Sequence, residues 1–194
     1  MSTASSGSPP LQRRLVIAGA AALALLPMRE AVAQAAASRA DWFTMVQMHH
    51  ALIAKSFEEL LASGPSGNYL KRDMLIRTIG YQLTAHSVAE ENAIYPALAL
   101  NGMTAESDKL YLDQSHAKVL NTRLEMTAMA NREGRDWLVP ARELYAAVLK
   151  HAKEDEEGRL YPQLRAKLDA GGNAMVGALY QREYASVKAP PTVA

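Results

Sequence analysis

Two stretches of the chain carry chemically useful side chains in the same order. His86-Ser-Val-Ala-Glu90-Glu91-Asn-Ala-Ile-Tyr95-Pro96 is echoed by His151-Ala-Lys-Glu154-Asp155-Glu156-Glu157-Gly-Arg-Leu-Tyr161-Pro162. Each places an imidazole about one helical turn before a carboxylate and closes on Tyr-Pro. Residues at i and i+4 share a helix face, so each stretch reads as half of a metal site. The chain has no cysteine. Thiolate ligands and disulfides are therefore excluded, and a metal here must be held by His, carboxylate or Tyr.

These groups need a scaffold, and the composition describes one made of helices. Hydrophobic residues make up 49% of the chain, which is rich in Ala and Leu, and Gly and Pro fall in short clusters between long periodic segments. A first helix from Asp41 to about Ser63 carries Val46, His50, Ile53, Phe57 and Leu60 at spacings of three and four. A second, from about Tyr69 to Leu100, turns Leu75, Ile79, Leu83, His86, Glu90 and Ile94 inward, with Pro96 bending its last turn and Asn101-Gly102 capping it. A third, from Thr104 to about Asn131, turns Leu112, His116, Val119, Leu120 and Leu124 inward. The fourth, from about Trp137 to Asp169, carries Leu144, Val148, His151, Asp155, Leu160 and Leu164 and stops at Gly171-Gly172-Asn173. A shorter fifth helix, Met175 to Val187, is expected on the outside. The fold class is all-α: an up-down-up-down four-helix bundle, residues 41–170, with a short C-terminal helix and tail, 171–194.

Antiparallel neighbours allow residues to be counted outward from each shared turn. His50 lies 16 residues before Ser66 and His86 lies 20 after it; from Gly102, His86 is 16 back and His116 is 14 forward; from Gly134, His116 is 18 back and His151 is 17 forward. At 1.5 Å per residue the four histidines fall ~21 to 30 Å from their turns, near one cross-section. Glu90 and the Asp155/Glu156 pair are displaced from it toward the same end. Helical geometry favours Asp155, because i+5 is rotated by ~140°. Alignment of the two copies on Tyr-Pro instead matches Glu156 to Glu90, so both remain candidates. Mixed imidazole and carboxylate ligands suit iron, manganese or zinc, and bridging carboxylates favour a pair of ions.

A His on helix one, His-x3-Glu and Tyr-Pro on helix two, a single His on helix three and His-x3/x4-acid and Tyr-Pro on helix four resemble the hemerythrin-like HHE cation-binding domains. The resemblance covers about Gln47 to Leu164. It implies a non-haem di-iron centre, with Glu90 and one of Asp155 or Glu156 bridging and His50, His86, His116 and His151 as terminal ligands. It also implies a small diatomic or peroxide ligand, O2 or NO among them. Oxygen-carrying hemerythrins have a second His four residues after the first on helix three, and here that position is Leu120. A site short of one imidazole is more open, with water, hydroxide or a side chain such as Tyr in its place. Iron handling, sensing, or oxidase or peroxidase chemistry then stand beside oxygen binding. His49 is ~100° around the helix from His50 and reads as a supporting or surface residue. Tyr81, Tyr95, Tyr111, Tyr145 and Tyr161 read mainly as packing residues whose hydroxyls reach the rim.

The first 33 residues have the layout of an export signal: Arg13-Arg14, an apolar run from Leu15 to Leu26, then Ala31-Val32-Ala33,. The paired arginines resemble a twin-arginine signal, and cleavage after Ala33 implies a periplasmic or otherwise exported protein. The apolar run of 12 residues is too short for a membrane-spanning helix,. The segment carries three Arg and one Glu, so its removal takes the net charge from +1 to −1. A near-neutral domain offers no footprint for nucleic acid or anionic lipid. Residues 34–40 read as a linker.

Overall fold

The computed structural model describes residues 41–64, 69–131 and 134–189, and these fold into five helices. Helix α1 is Trp42–Ala62, α2 covers 69–100, α3 is Thr104–Ala130, α4 covers 138–167 and α5 is Ala170–Ser186. The first four form the expected all-α bundle, with α1 against α2 and α4 and α3 against the same two partners. The signal and linker readings on residues 1–40 fall outside the described residues. Among the described residues no helix is long and apolar enough to cross a membrane.

Both helices that carry the repeated motif change their winding there. In α2, Tyr69–Ala89 passes through a π-helical turn, Glu90–Ile94, into Tyr95–Leu100. In α4, Leu138–Lys150 passes through a longer π-helical stretch, His151–Leu160, into Tyr161–Lys167. The prolines supply a reason. Pro96 and Pro162 cannot donate to the carbonyl four residues back, and their rings crowd it. The preceding residue donates one step further instead: Tyr95 N–H to the Glu90 carbonyl and Tyr161 N–H to the Glu156 carbonyl. The expected bend at Pro96 is thus a change of register. In the longer stretch the backbone also comes close at Gly158, where a Cβ would lie 2.7 Å from the Lys153 carbonyl oxygen.

The α2–α3 turn is set by Gly102, at φ +81°. Met103 N–H donates to the Leu98 carbonyl and Gly102 N–H to that of Ala99, the paired bonds of a Schellman cap. Helix α3 begins at Thr104 as expected, and its N-cap position falls on Met103, whose side chain makes no capping bond. Helix α3 is also rotated from the expected stripe. Leu112 and Val119 are 70% and 58% exposed, while Leu110, Gln114, Leu120, Leu124 and Ala128 face inward. Apolar residues lie on both faces of this helix, so periodicity alone did not select the buried one.

Helix α5 begins five residues before the expected Met175. Asp169 caps it, its carboxylate accepting from Gly172 N–H at 2.7 Å, and Gly171-Gly172-Asn173 opens this helix instead of ending α4. Asn173 ties three elements together, accepting from Trp42 Nε1–H of α1 at 2.8 Å and donating to the Leu168 carbonyl after α4 at 3.0 Å.

The apolar core is split in two. Trp42, Val46, Ile94, Leu98, Leu110, Leu160, Leu164 and Tyr180 form one cluster. Ile53, Phe57, Leu60, Ile79, Leu120, Leu124, Trp137 and Leu144 form the other. Each fully buried aliphatic or aromatic side chain contributes about 1.5–3 kcal/mol by leaving water. Between the clusters runs a layer of buried polar side chains.

Candidate metal centre

That layer draws on all four bundle helices. α1 supplies His50, α2 His86 and Glu90, α3 Gln114, and α4 His151 and Glu156. His50, His86, Glu90 and Glu156 are buried, and each offers one ligand atom within 4.8 Å of the others. His50 Nε2 is 2.9 Å from His86 Nε2 and 3.2 Å from Glu156 Oε2; His86 Nε2 is 3.1 Å from Glu90 Oε2. His151 joins through Nε2, 3.0 Å from Glu156 Oε1.

The outer nitrogens of the three imidazoles are equally ordered. His50 Nδ1 lies 2.7 Å from Glu157 Oε1, His151 Nδ1 lies 3.3 Å from Asp113 Oδ2, and His86 Nδ1 lies 3.0 Å from the Tyr180 hydroxyl. The Tyr180 oxygen is in turn 2.7 Å from His49 Nδ1. One proton arrangement satisfies that chain: His86 Nδ1–H donates to Tyr180, and the Tyr180 O–H donates to His49. His86 then turns a lone pair on Nε2 to the centre, and all three imidazoles direct Nε2 inward and anchor Nδ1 outside, the pattern by which metal-ligating histidines are oriented,.

Two tyrosines complete the centre. Tyr161 O–H lies 2.6 Å from both Glu90 Oε1 and Glu156 Oε1. Tyr95 O–H lies 2.9 Å from Glu156 Oε1 and 3.4 Å from Glu90 Oε2. Gln114 donates to Glu90 Oε2 at 2.8 Å and accepts from Ser87 O–H at 2.6 Å, which fixes its amide orientation. Both tyrosines stand five residues after the glutamate they touch, as the π-helical register brings i+5 over i. The sequence signal was present in the repeated Tyr-Pro, but counting by α-helical turns placed these hydroxyls at the rim.

Two expected ligands are not brought to the cluster. Asp155 turns outward, its carboxylate 2.8 Å from Lys109 Nζ and 3.1 Å from Arg159. The i+4 rule that favoured it holds for an α-helix, and His151–Leu160 is not one. His116 is exposed at the mouth of a cavity beside the cluster, because the rotation of α3 gives the inward position to Gln114. Leu120, four residues after His116, is 1% exposed within the apolar cluster of Ile53 and Phe57.

The charges are arranged by burial and by neighbours. Burial works against a charged His50, yet Glu156 and Glu157 outweigh it and raise its pKa to about 9. Burial likewise opposes charge on His151, and Glu156 and Asp113 raise it to about 10. Burial and the Glu156 charge push Glu90 up to about 8. Glu156 is held well below the usual carboxylate range, the opposing cost of burial being overcome by His151 and His50. Burial, then the neighbouring His50, keeps His86 well below its usual value. Without a metal, protons on His50, His151 and Glu90 hold the acceptor-rich cluster together. The fit to a cation is visible in one atom: Glu156 Oε2 is buried without a hydrogen-bond partner, although His50 Nε2 is nearby. Imidazole, carboxylate and phenol donors suit iron, manganese or zinc.

A family model described as the hemerythrin HHE cation-binding domain matches residues 41–164. No curated protein and no solved structure matches the chain.

Proposed function

The chain belongs to the hemerythrin HHE cation-binding family, and on that premise we propose that it is an exported non-haem iron protein that binds O2, NO or a related small oxidant. The observation that carries the reading is the orientation of His50, His86 and His151, each with Nε2 toward the centre and Nδ1 held by an acceptor. These residues would hold a pair of iron ions together with Glu90 and Glu156, and manganese or zinc would meet the same donors. Bound iron supplies the electrons and open coordination that a small oxidant needs. The chain's own part is to orient and to hold protons. Gln114 orients Glu90, Tyr161 bridges the two carboxylates, and the apolar cluster around Trp42 and Tyr180 keeps bulk water from that side.

Metal analysis with an optical spectrum in air tests this. About two irons per chain with a charge-transfer band are expected, and less than about one metal per chain after folding in iron sinks the reading. An oxidase or peroxidase on the same bundle is the second reading, favoured by the two phenols on the carboxylates and by Gln114 where an imidazole was expected. Exposure of the reduced protein to air divides the two. A band reversed by removing O2 supports binding, and irreversible oxidation with turnover of peroxide supports the enzyme. Export rests on Arg13-Arg14 and the apolar run after them,. N-terminal sequencing of protein recovered from the periplasm should begin at Gln34.

A further inference from the structure

The bundle does not close between the polar layer and the apolar cluster of Ile53 and Phe57. A cavity of about 280 Å³ remains there. The imidazoles of His50, His86 and His151 face it on one side. Leu83, Ala117, Ala147 and Val148 form its apolar wall. Close-packed interiors hold few voids larger than a water molecule, so a chamber walled by two alanines from facing helices is a built feature. Its size also speaks against a diatomic molecule as the sole occupant. A water takes up roughly 30 Å³, and an aliphatic cavity of roughly 150 Å³ accommodates benzene. The space here fits a six-carbon ring or branched chain carrying one further group.

The mouth, between α3 and α4, indicates what that group is. Lys109 is engaged there by Asp113 at 2.7 Å and Asp155 at 2.8 Å. Lys150 and His116 also line the cavity, both exposed, and neither has a hydrogen-bond or ion-pair partner among the described residues. Two unengaged donors from facing helices at the opening of an apolar chamber match a carboxylate on an apolar body.

We propose that this cavity binds a small organic carboxylate, its apolar body against Leu83, Ala117, Ala147 and Val148 and its carboxylate on Lys150 and His116. The bound molecule then lies against His50, His86 and His151, which makes it the substrate or effector class of the same centre. That role rests on the metal reading; the binding itself uses no metal.

Titration calorimetry and methyl NMR on the full chain, metal-free and iron-loaded, test this with benzoate, benzyl alcohol and acetate. Benzoate should bind saturably, shift the methyl signals of Ala117, Ala147 and Val148, and bind about tenfold or more tighter than either partial analogue. Lys150→Ala, a surface change that spares the fold, should weaken benzoate about tenfold and leave benzyl alcohol unaffected. Ala147→Leu should fill the chamber and abolish benzoate binding with iron per chain unchanged. The proposal is overturned if benzyl alcohol binds as tightly as benzoate, if Lys150→Ala changes nothing, or if no probe saturates. Benzoate binding to a chain that takes up no iron leaves this site standing and removes the metal reading. Iron uptake without benzoate binding removes this proposal alone.

Discussion

Asp155 and Glu156 are neighbours in the chain and face opposite ways. Glu156 is buried among His50, His151, Tyr95 and Tyr161, whereas Asp155 makes a surface pairing with Lys109 and Arg159. Asp155→Asn should retain full metal content with stability changed by no more than ~1 kcal/mol. Glu156→Gln should lose most of the metal, because it removes an anionic ligand and leaves His151 without its buried counter-charge. Metal analysis of the two variants side by side checks this, and His116→Ala should behave as Asp155→Asn does.

The protons at the centre set a pH dependence. In the metal-free fold Glu90 is raised from 4.5 to about 8, His50 from 6.5 to about 9 and His151 from 6.5 to about 10. A raised folded-state pKa gives stability that is complete below the unfolded value and lost as pH climbs through the folded one. The metal-free protein should therefore melt at progressively lower temperature from about pH 6.5 to 9. A metal must displace the same protons, so its affinity rises over that window. The gap in Tm between loaded and metal-free protein should widen from pH 6.5 to 9, as a thermal scan at constant free metal measures; a flat gap would contradict these ligands.

At the scale of the element, much of the arrangement was legible in the sequence, and its failures have physical causes. The apolar stripe of α1 could be read because its other face is polar, and it carried His50 to the correct layer. His86 and Glu90 were found by the i+4 rule because they lie at the entrance of the π turn. The same rule failed beyond it, at Glu156 and at both tyrosines, because no periodicity in the side chains announces a change of backbone register. The α3 stripe failed because its two faces compete. Helix α5 is expected on the outside, yet its Tyr180 is fully buried and holds His86. Tyr180→Phe should weaken metal binding about 10- to 100-fold while helix content is kept. Competition with a chelator measures this, and an unchanged affinity would leave α5 a purely packing role.

At the scale of the molecule, the polar layer separates two apolar clusters of different reach. The cluster of Ile53, Phe57, Ile79, Leu124 and Leu144 joins helices across the turns after α1 and after α3. The cluster of Trp42, Leu98, Leu110, Leu164 and Tyr180 must bring α1 together with α4 and α5, as the 131-residue separation of Trp42 and Asn173 shows. Metal removal should therefore raise amide exchange first in the early turns of α1 and in α5, with the other cluster remaining protected. Mass-resolved hydrogen exchange on loaded and chelated protein distinguishes this from uniform loosening.

The bond from Tyr180 to His86 also bears on the order of assembly. Contacts near in sequence close early, while those between distant segments carry a larger loop-closure cost. The half-bundle around Phe57 can gather as soon as α4 has been made. His86 must wait for the last helix to provide its anchor, so a chain still under synthesis carries ligands without the arrangement that orients them. Ordered loading of the centre should therefore follow the synthesis of α5.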